Sequence, residues 1–184
     1  EAAAADVGLA YVSSDPAYLG SLTAGEQLDY MAQLRGLPKG VWRSVAERLE
    51  LDPTVQVRKL SRGNRQKVGV VQVFMGDEPL LIMDEPSSGL DPLMQREFLT
   101  LVSEVRAAGR TVFLSSHNLP EVERACDRVA IIREGRLVDV STVSDLQASH
   151  WRSVSLQLAD LPAPGLFDLP NVRMAGVGPV PEPE

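Results

Sequence analysis

The rhythm of apolar positions changes along the chain. Residues 7–12 form a short apolar run that predicts a strand, and the Ser-, Asp- and Pro-rich stretch after it reads as a loop. Thr23, with Glu26 three places on, has the form of a helix N-cap with a capping box. Leu28, Met31, Leu34 and Leu37 then keep a helical stripe. A second helix is expected over residues 41–49, stopped by Asp52-Pro53, and a third is expected to open at Ser61. In that third segment Val68, Val71 and Met75 recur at helical spacing, against the strand propensity of Val70, Val71 and Val73.

After residue 75 the pattern shifts. Residues 80–83 are continuously apolar, as in a strand covered on both faces. Asp91 can cap a helix with Pro92 at its first position, and Gly109 can end it. Residues 111–114 predict the next buried strand, leading into Ser115, Ser116 and His117, and residues 121–126 a short helix. Residues 129–132 and 136–140 flank Glu134-Gly135, a hairpin signature. Alternating strands and helices predict a parallel α/β sheet with an antiparallel edge, preceded by a helical lobe. From Trp151 on, Val154, Leu156 and Leu158 share one face of an expected strand, before a Pro- and Gly-rich end.

The net charge of −7 over 184 residues argues against a general nucleic-acid-binding surface. The single cysteine, Cys126, excludes an internal disulfide and suits the cytosol. No apolar run reaches the roughly 18–20 residues of a membrane helix, so work at a membrane would go through a partner. The chain opens on Glu1 rather than Met, and both ends read as those of a fragment.

Three places carry candidate chemistry. Asp84 and Glu85 follow the apolar run directly, at the carboxyl end of an expected parallel strand, where ligands bind in such sheets. An Asp there can hold Mg²⁺ on nucleotide phosphates, and an acid beside it can orient or deprotonate a water. A second Asp-Glu-Pro, residues 77–79, follows Met75-Gly76 instead of a strand and reads as a loop. Leu60-Ser61-Arg62-Gly63-Asn64 opens the third helix, whose free N–H groups suit phosphate, with Gly63 admitting close backbone approach. His117 ends the second strand, near the acids.

In order and spacing these segments resemble the ATP-binding cassette family over roughly residues 7–145, most closely bacterial export-type cassettes. "LSRGNRQKV" resembles its signature motif, "LLIMDEP" its Walker B strand with the catalytic glutamate, "SGLD" (88–91) its D-loop, and "SSHNLPEVERACDRVAIIREGRLV" its switch-histidine segment. The resemblance implies an incomplete P-loop NTPase-like α/β core over residues 1–147, a helical subdomain over about 22–75, and a C-terminal extension over 148–184. It implies ATP and Mg²⁺ as cofactors. Asp84 would hold the metal through water, Glu85 would polarise the hydrolytic water, and His117 would contact the γ-phosphate. Ser61, Arg62, Gly63 and Asn64 would grip the γ-phosphate of a nucleotide bound mainly to a second cassette subunit, with Ser88 and Asp91 at that dimer contact. The implied partners are that second subunit and a transmembrane permease, with no nucleic acid, and the implied location is the cytoplasmic face of the cell membrane.

The chain departs from the pattern in three places. No G-x-x-x-x-G-K-[ST] P-loop is present, since Lys39, Lys59 and Lys67 all stand in other contexts. The chain is therefore expected to begin after the P-loop, to be inactive alone, and to leave Leu81, Val112 and Ile131 short of sheet cover. Near Ser14, where the family has a glutamine, there is none. Arg62 and Asn64 stand where Gly and Gln are commoner. The competing readings are a non-transport cassette ATPase acting on ribosomes or DNA, and a non-catalytic fragment offering only the signature surface.

Overall fold

A computed structural model describes residues 8–149. Contacts divide the chain at residue 144. The first unit holds β1 (Leu9–Val12), α1 (Ala24–Leu34), α2 (Arg43–Arg48), a 3₁₀ turn (Val57–Lys59), α3 (Arg62–Phe74), β2 (Leu80–Asp84), α4 (Pro92–Ala107), β3 (Thr111–Ser115), α5 (Leu119–Ala125), β4 (Arg128–Arg133) and β5 (Arg136–Thr142). The described part of the second unit belongs to α6 (Val143–Ser149). The strand expected around Val154, Leu156 and Leu158 lies outside the described residues.

Local signals set the helix ends. Thr23 Oγ1 accepts from the Glu26 amide at 3.2 Å and Glu26 Oε2 accepts from the Thr23 amide at 2.8 Å, the reciprocal capping box. At the other end of α1 the chain leaves the helix earlier than the stripe predicts. Gly36 takes a φ of +67°, its amide bonds to Gln33 O at 3.1 Å, and the Leu37 amide bonds to Ala32 O at 2.8 Å. This is a Schellman ending, so Leu37 is the apolar residue that follows the helix and packs back on the core. Glu134 and Gly135, at φ of 51° and 71°, make the β4–β5 turn as expected.

The three strands β1–β2–β3 are parallel, with β2 central. The register aligns Val12, Met83 and Leu114, and sets Asp84 opposite Ser115. One face, carrying Ala10, Val12, Leu81 and Met83, is buried in the core that α3 and α4 share. There Phe74 of α3 meets Phe98 of α4 edge-on, ring centroids 6.0 Å apart.

The expectation of cover on both faces is wrong. Leu9, Tyr11 and Phe113, on the other face, are each more than half exposed, and β3 is nowhere fully buried. Strand residues alternate between faces, so an apolar run records only that both faces are apolar. Leu81, expected to lack cover, is fully buried because it points at the helices. Val112 is half-buried, and Ile131 is exposed as expected. The antiparallel pair β4–β5 forms its own two-stranded sheet and is not an edge of the parallel one. Hairpin signals fix pairing within the hairpin and say nothing about which sheet it joins.

Candidate functional site

Asp84 is the last residue of the central strand. Its Oδ1 accepts the Ser115 hydroxyl at 2.5 Å, and Oδ2 faces the Ser14 amide at 3.4 Å. The Ser115 hydroxyl, followed by Ser14, holds this carboxyl below the usual Asp range, so it stays ionised at neutral pH. Ser14 thus reaches the Asp84 carboxylate through its backbone amide.

At Glu85 the strand breaks. Its φ of +48° is left-handed, which is uncommon for a residue with a Cβ. Neighbours in a strand point to opposite faces, and this turn frees Glu85 from that alternation. Several bonds hold the strained residue. Its amide donates to Ser115 O at 3.2 Å and to Ser115 Oγ at 3.1 Å. Gln66, buried in α3, donates Nε2 to Pro86 O at 3.2 Å and lies 3.5 Å from Glu85 O. The Ser88 amide closes the turn on Glu85 O at 3.1 Å.

His117 brings Nδ1 to 2.8 Å from Glu85 Oε2. A carboxylate only accepts, so Nδ1 carries the proton, and with 84% of the side chain exposed Nε2 stays open to solvent. The hydrogen bond and charge of Glu85 raise the imidazole above its ordinary pKa. Asp84, Glu85 and His117 therefore form one cluster at the carboxyl end of the sheet.

The helix start forms a second cluster. Ser61 caps α3, its Oγ accepting from the Asn64 amide at 3.2 Å, which leaves the Arg62 and Gly63 amides at the helix N-terminus. Gly63 has a use that the sequence did not show. A Cβ there would fall well inside 3.0 Å of the Gly89 carbonyl oxygen, so the glycine lets the helix start lie against the 86–91 loop. In that loop Ser88 is half-buried, and Asp91 caps α4, Oδ1 accepting from the Leu93 and Met94 amides at 3.0 Å each. The Met94 amide is the leading cause of a lowered Asp91 pKa. Among the described residues, no hydrogen bond or ion pair joins Ser61, Arg62, Gly63 or Asn64 directly to Asp84, Glu85 or His117.

Two contributors went unread in the sequence. Gln66 left a signal, an amide on the face of α3 that otherwise buries valines. Glu121 left none stronger than a carboxylate four residues after His117.

A family model described as "AAA domain, putative AbiEii toxin, Type IV TA system" matches residues 21–123. An uncharacterised ABC transporter ATP-binding protein of Nostoc sp. is 37% identical over 148 residues, 76% of this chain and 44% of that protein. The chain belongs to the AAA-type, ATP-binding cassette family. The bacitracin transport ATP-binding protein of Enterococcus faecalis is 32% identical over 79% of this cassette chain and 48% of its own length. A fluoroquinolones export ATP-binding protein of Mycobacterium tuberculosis is 32% identical over 73% and 42%. A solved ATP binding subunit of an ABC transporter superposes with a TM-score of 0.68 at 32% identity, covering 76% of this chain and 61% of that one. The cassette chain thus spans less than half the length of these curated relatives. Its α/β core is the P-loop NTPase-like fold, and nucleotide binding is the family's common property.

Proposed function

We propose that this cassette chain contributes the water-activating end of an ATPase site in an export-type transporter. The observation that carries the reading is the Glu85–His117 contact of 2.8 Å, formed by a glutamate in left-handed backbone beside Asp84. Glu85 Oε2 and the His117 ring would hold the hydrolytic water and the γ-phosphate between them, Glu85 as general base. Protonated on both nitrogens, His117 would keep Nδ1–H on Glu85 and donate Nε2–H to the phosphate. Ser61 fixes the first turn of α3, so that the amides of Arg62 and Gly63 and the side chains of Arg62 and Asn64 face a nucleotide held by a second cassette subunit. Ser88 and Asp91 lie on the loop that Gly63 touches, and would carry the contact between subunits.

The residues fit Mg²⁺ that keeps most of its waters. Asp84 is ionised, its Oδ2 has only one long contact, and among the described residues no group of three His, Cys, Asp or Glu could form an all-protein cage. When bound, the metal would neutralise phosphate charge. The names of the bacitracin transport and fluoroquinolones export relatives favour a role in export, and a membrane permease is the partner we assign to it. No described helix is long and apolar enough to cross a membrane, which fits a subunit docked on the cytoplasmic face.

The test is run on a longer chain in which a P-loop precedes these residues. Glu85→Gln keeps shape and hydrogen bonding but removes the base, so turnover should fall by about 10²–10⁴-fold while nucleotide binding survives. Asp84→Asn should weaken Mg²⁺-dependent binding as well as turnover. Glu78→Gln, in the other Asp-Glu-Pro, should leave turnover per folded molecule unchanged. Loss of hydrolysis in Glu78→Gln with activity intact in Glu85→Gln would overturn the assignment.

A further inference from the structure

His117 lies two residues beyond the last β2–β3 ladder pair, Asp84 with Ser115, and its side chain is mostly solvent-exposed. The sheet alone does not fix its distance to Glu85. A buried carboxylate links the two arms. Glu121 of α5 is 5% exposed, and its Oε2 accepts the Ser87 hydroxyl at 2.8 Å and the Ser116 hydroxyl at 2.7 Å. Ser87 stands two residues after Glu85, and Ser116 one before His117. Ser116 Oγ in turn accepts the Asn118 amide at 3.1 Å, so it braces the backbone on the far side of His117.

The other oxygen, Oε1, is buried without a hydrogen-bond partner. Leaving a carboxylate oxygen unpaired away from water is costly, and a Leu in its place would avoid that cost. An acid kept at such a position needs a reason beyond packing. Tying one oxygen to the two arms of the site supplies it.

We propose that Glu121 is a positioning residue that sets the Glu85–His117 contact by clamping Ser87 and Ser116 on a single carboxylate oxygen. The proposal rests on the Glu85–His117 reading given above. It does not make Glu121 a catalytic residue, since its hydrogen bonds go to the two serines and to neither reacting group.

The test reads the His117 tautomer by long-range ¹H–¹⁵N NMR on the 184-residue chain, above the pKa of the ring. The His117→Ala spectrum separates its signals from those of His150. A free neutral imidazole prefers the proton on Nε2, whereas the bond to Glu85 selects Nδ1–H. The wild-type chain should show Nδ1–H as the majority form, and Glu85→Ala, which leaves no acceptor for that proton, should return the ring toward Nε2–H. Ser87→Ala with Ser116→Ala should do the same with Glu85 in place, and so should Glu121→Leu. Glu121→Gln, which keeps a carbonyl oxygen, should retain Nδ1–H. The serine variants remove only hydroxyls and carry the test if Glu121→Leu fails to fold, which circular dichroism checks. An Nδ1–H majority that persists in the double serine variant overturns the clamp. A wild-type ring already on Nε2–H, or one unmoved by Glu85→Ala, removes the contact itself and the clamp with it.

Discussion

Glu78→Gln removes a charge from a position that looks like a bystander in the sequence. Glu78 heads the approach to β2, and its Oε1 accepts Arg35 Nε at 2.7 Å. Arg35 also donates to the Gln72 carbonyl on α3, and Arg110 Nε donates to the Glu78 carbonyl at 2.8 Å. One ion pair thus joins the end of α1 to the start of the central strand. The two side chains are 15% and 18% exposed, which sets the magnitude. Exposed pairs contribute about 0–1 kcal/mol, and breaking a fully buried one costs about 3–5 kcal/mol. Gln keeps a neutral acceptor for Arg35, so the loss should be about 2–3 kcal/mol, the range of a hydrogen bond to a charged group. Against a total stability of about 5–15 kcal/mol this is large.

Urea unfolding followed by the fluorescence of the buried Trp42 measures it. With a urea slope of about 1–3 kcal/mol per molar, the midpoint should drop by about 1 M at neutral pH. The pH dependence has a definite sign. Burial pushes the Glu78 carboxyl up, but the Arg35 hydrogen bond and the nearby guanidinium charges outweigh it, leaving the folded pKa below the usual value. The stabilisation is therefore complete above the unfolded pKa of about 4.3 and is lost as pH falls through the folded value. The gap between wild type and Glu78→Gln should stay constant above pH of about 5 and close in acid. Adding Arg35→Met to Glu78→Gln should recover part of the loss, because the unpaired guanidinium is gone. An unchanged midpoint at pH 7, or a gap that widens in acid, would refute this account.

Gly63→Ala should lower the urea midpoint despite the helix propensity of Ala. The overpacking cost of about 1–3 kcal/mol against a backbone carbonyl should exceed the gain of up to about 1 kcal/mol, whereas the exposed Arg62→Ala should be near neutral, and a stabilised Gly63→Ala would disprove the tight approach to Gly89. The open sheet face should drive self-association. Each apolar side chain covered on association contributes about 1.5–3 kcal/mol, so Tyr11→Thr with Phe113→Thr should weaken it at least tenfold by sedimentation, and a wild-type chain that stays monomeric at high concentration would contradict this.

The parts of the fold that could be read in advance are those set within a few residues. Thr23 with Glu26, Ser61, Asp91 with Pro92, and Glu134-Gly135 all act on their own backbone neighbourhood, and each stands where its local chemistry puts it. Cover is different in kind. Whether Tyr11 and Phe113 are buried depends on what stacks over the sheet from elsewhere, and a strand pattern carries no information about that. The same division runs through the site. Asp84, Glu85 and His117 could be singled out because they stand at or just beyond strand ends. Gln66 showed only as an amide on an apolar helix face and Glu121 hardly at all, because their bonds cross 20 and 34 residues of sequence. Gly63 shows its second use, the close approach to Gly89, only once helix start and loop are side by side.

The register of the central strand also limits which genetic changes this chain can survive. Asp84 stands opposite Ser115 because five residues of β2 pair in parallel with five of β3. Loss or gain of one codon within that strand would exchange its inward and outward sides. It would also carry Glu85 into the place of Asp84, or Met83 into it, so that an acid of the wrong length or a thioether met the Ser115 hydroxyl. Substitutions can adjust this site one atom at a time, but a single-residue insertion or deletion upstream of the acids reassigns all of its positions at once. A change of length between Leu80 and Asp84 is therefore far more disruptive to this site than one in a connecting loop.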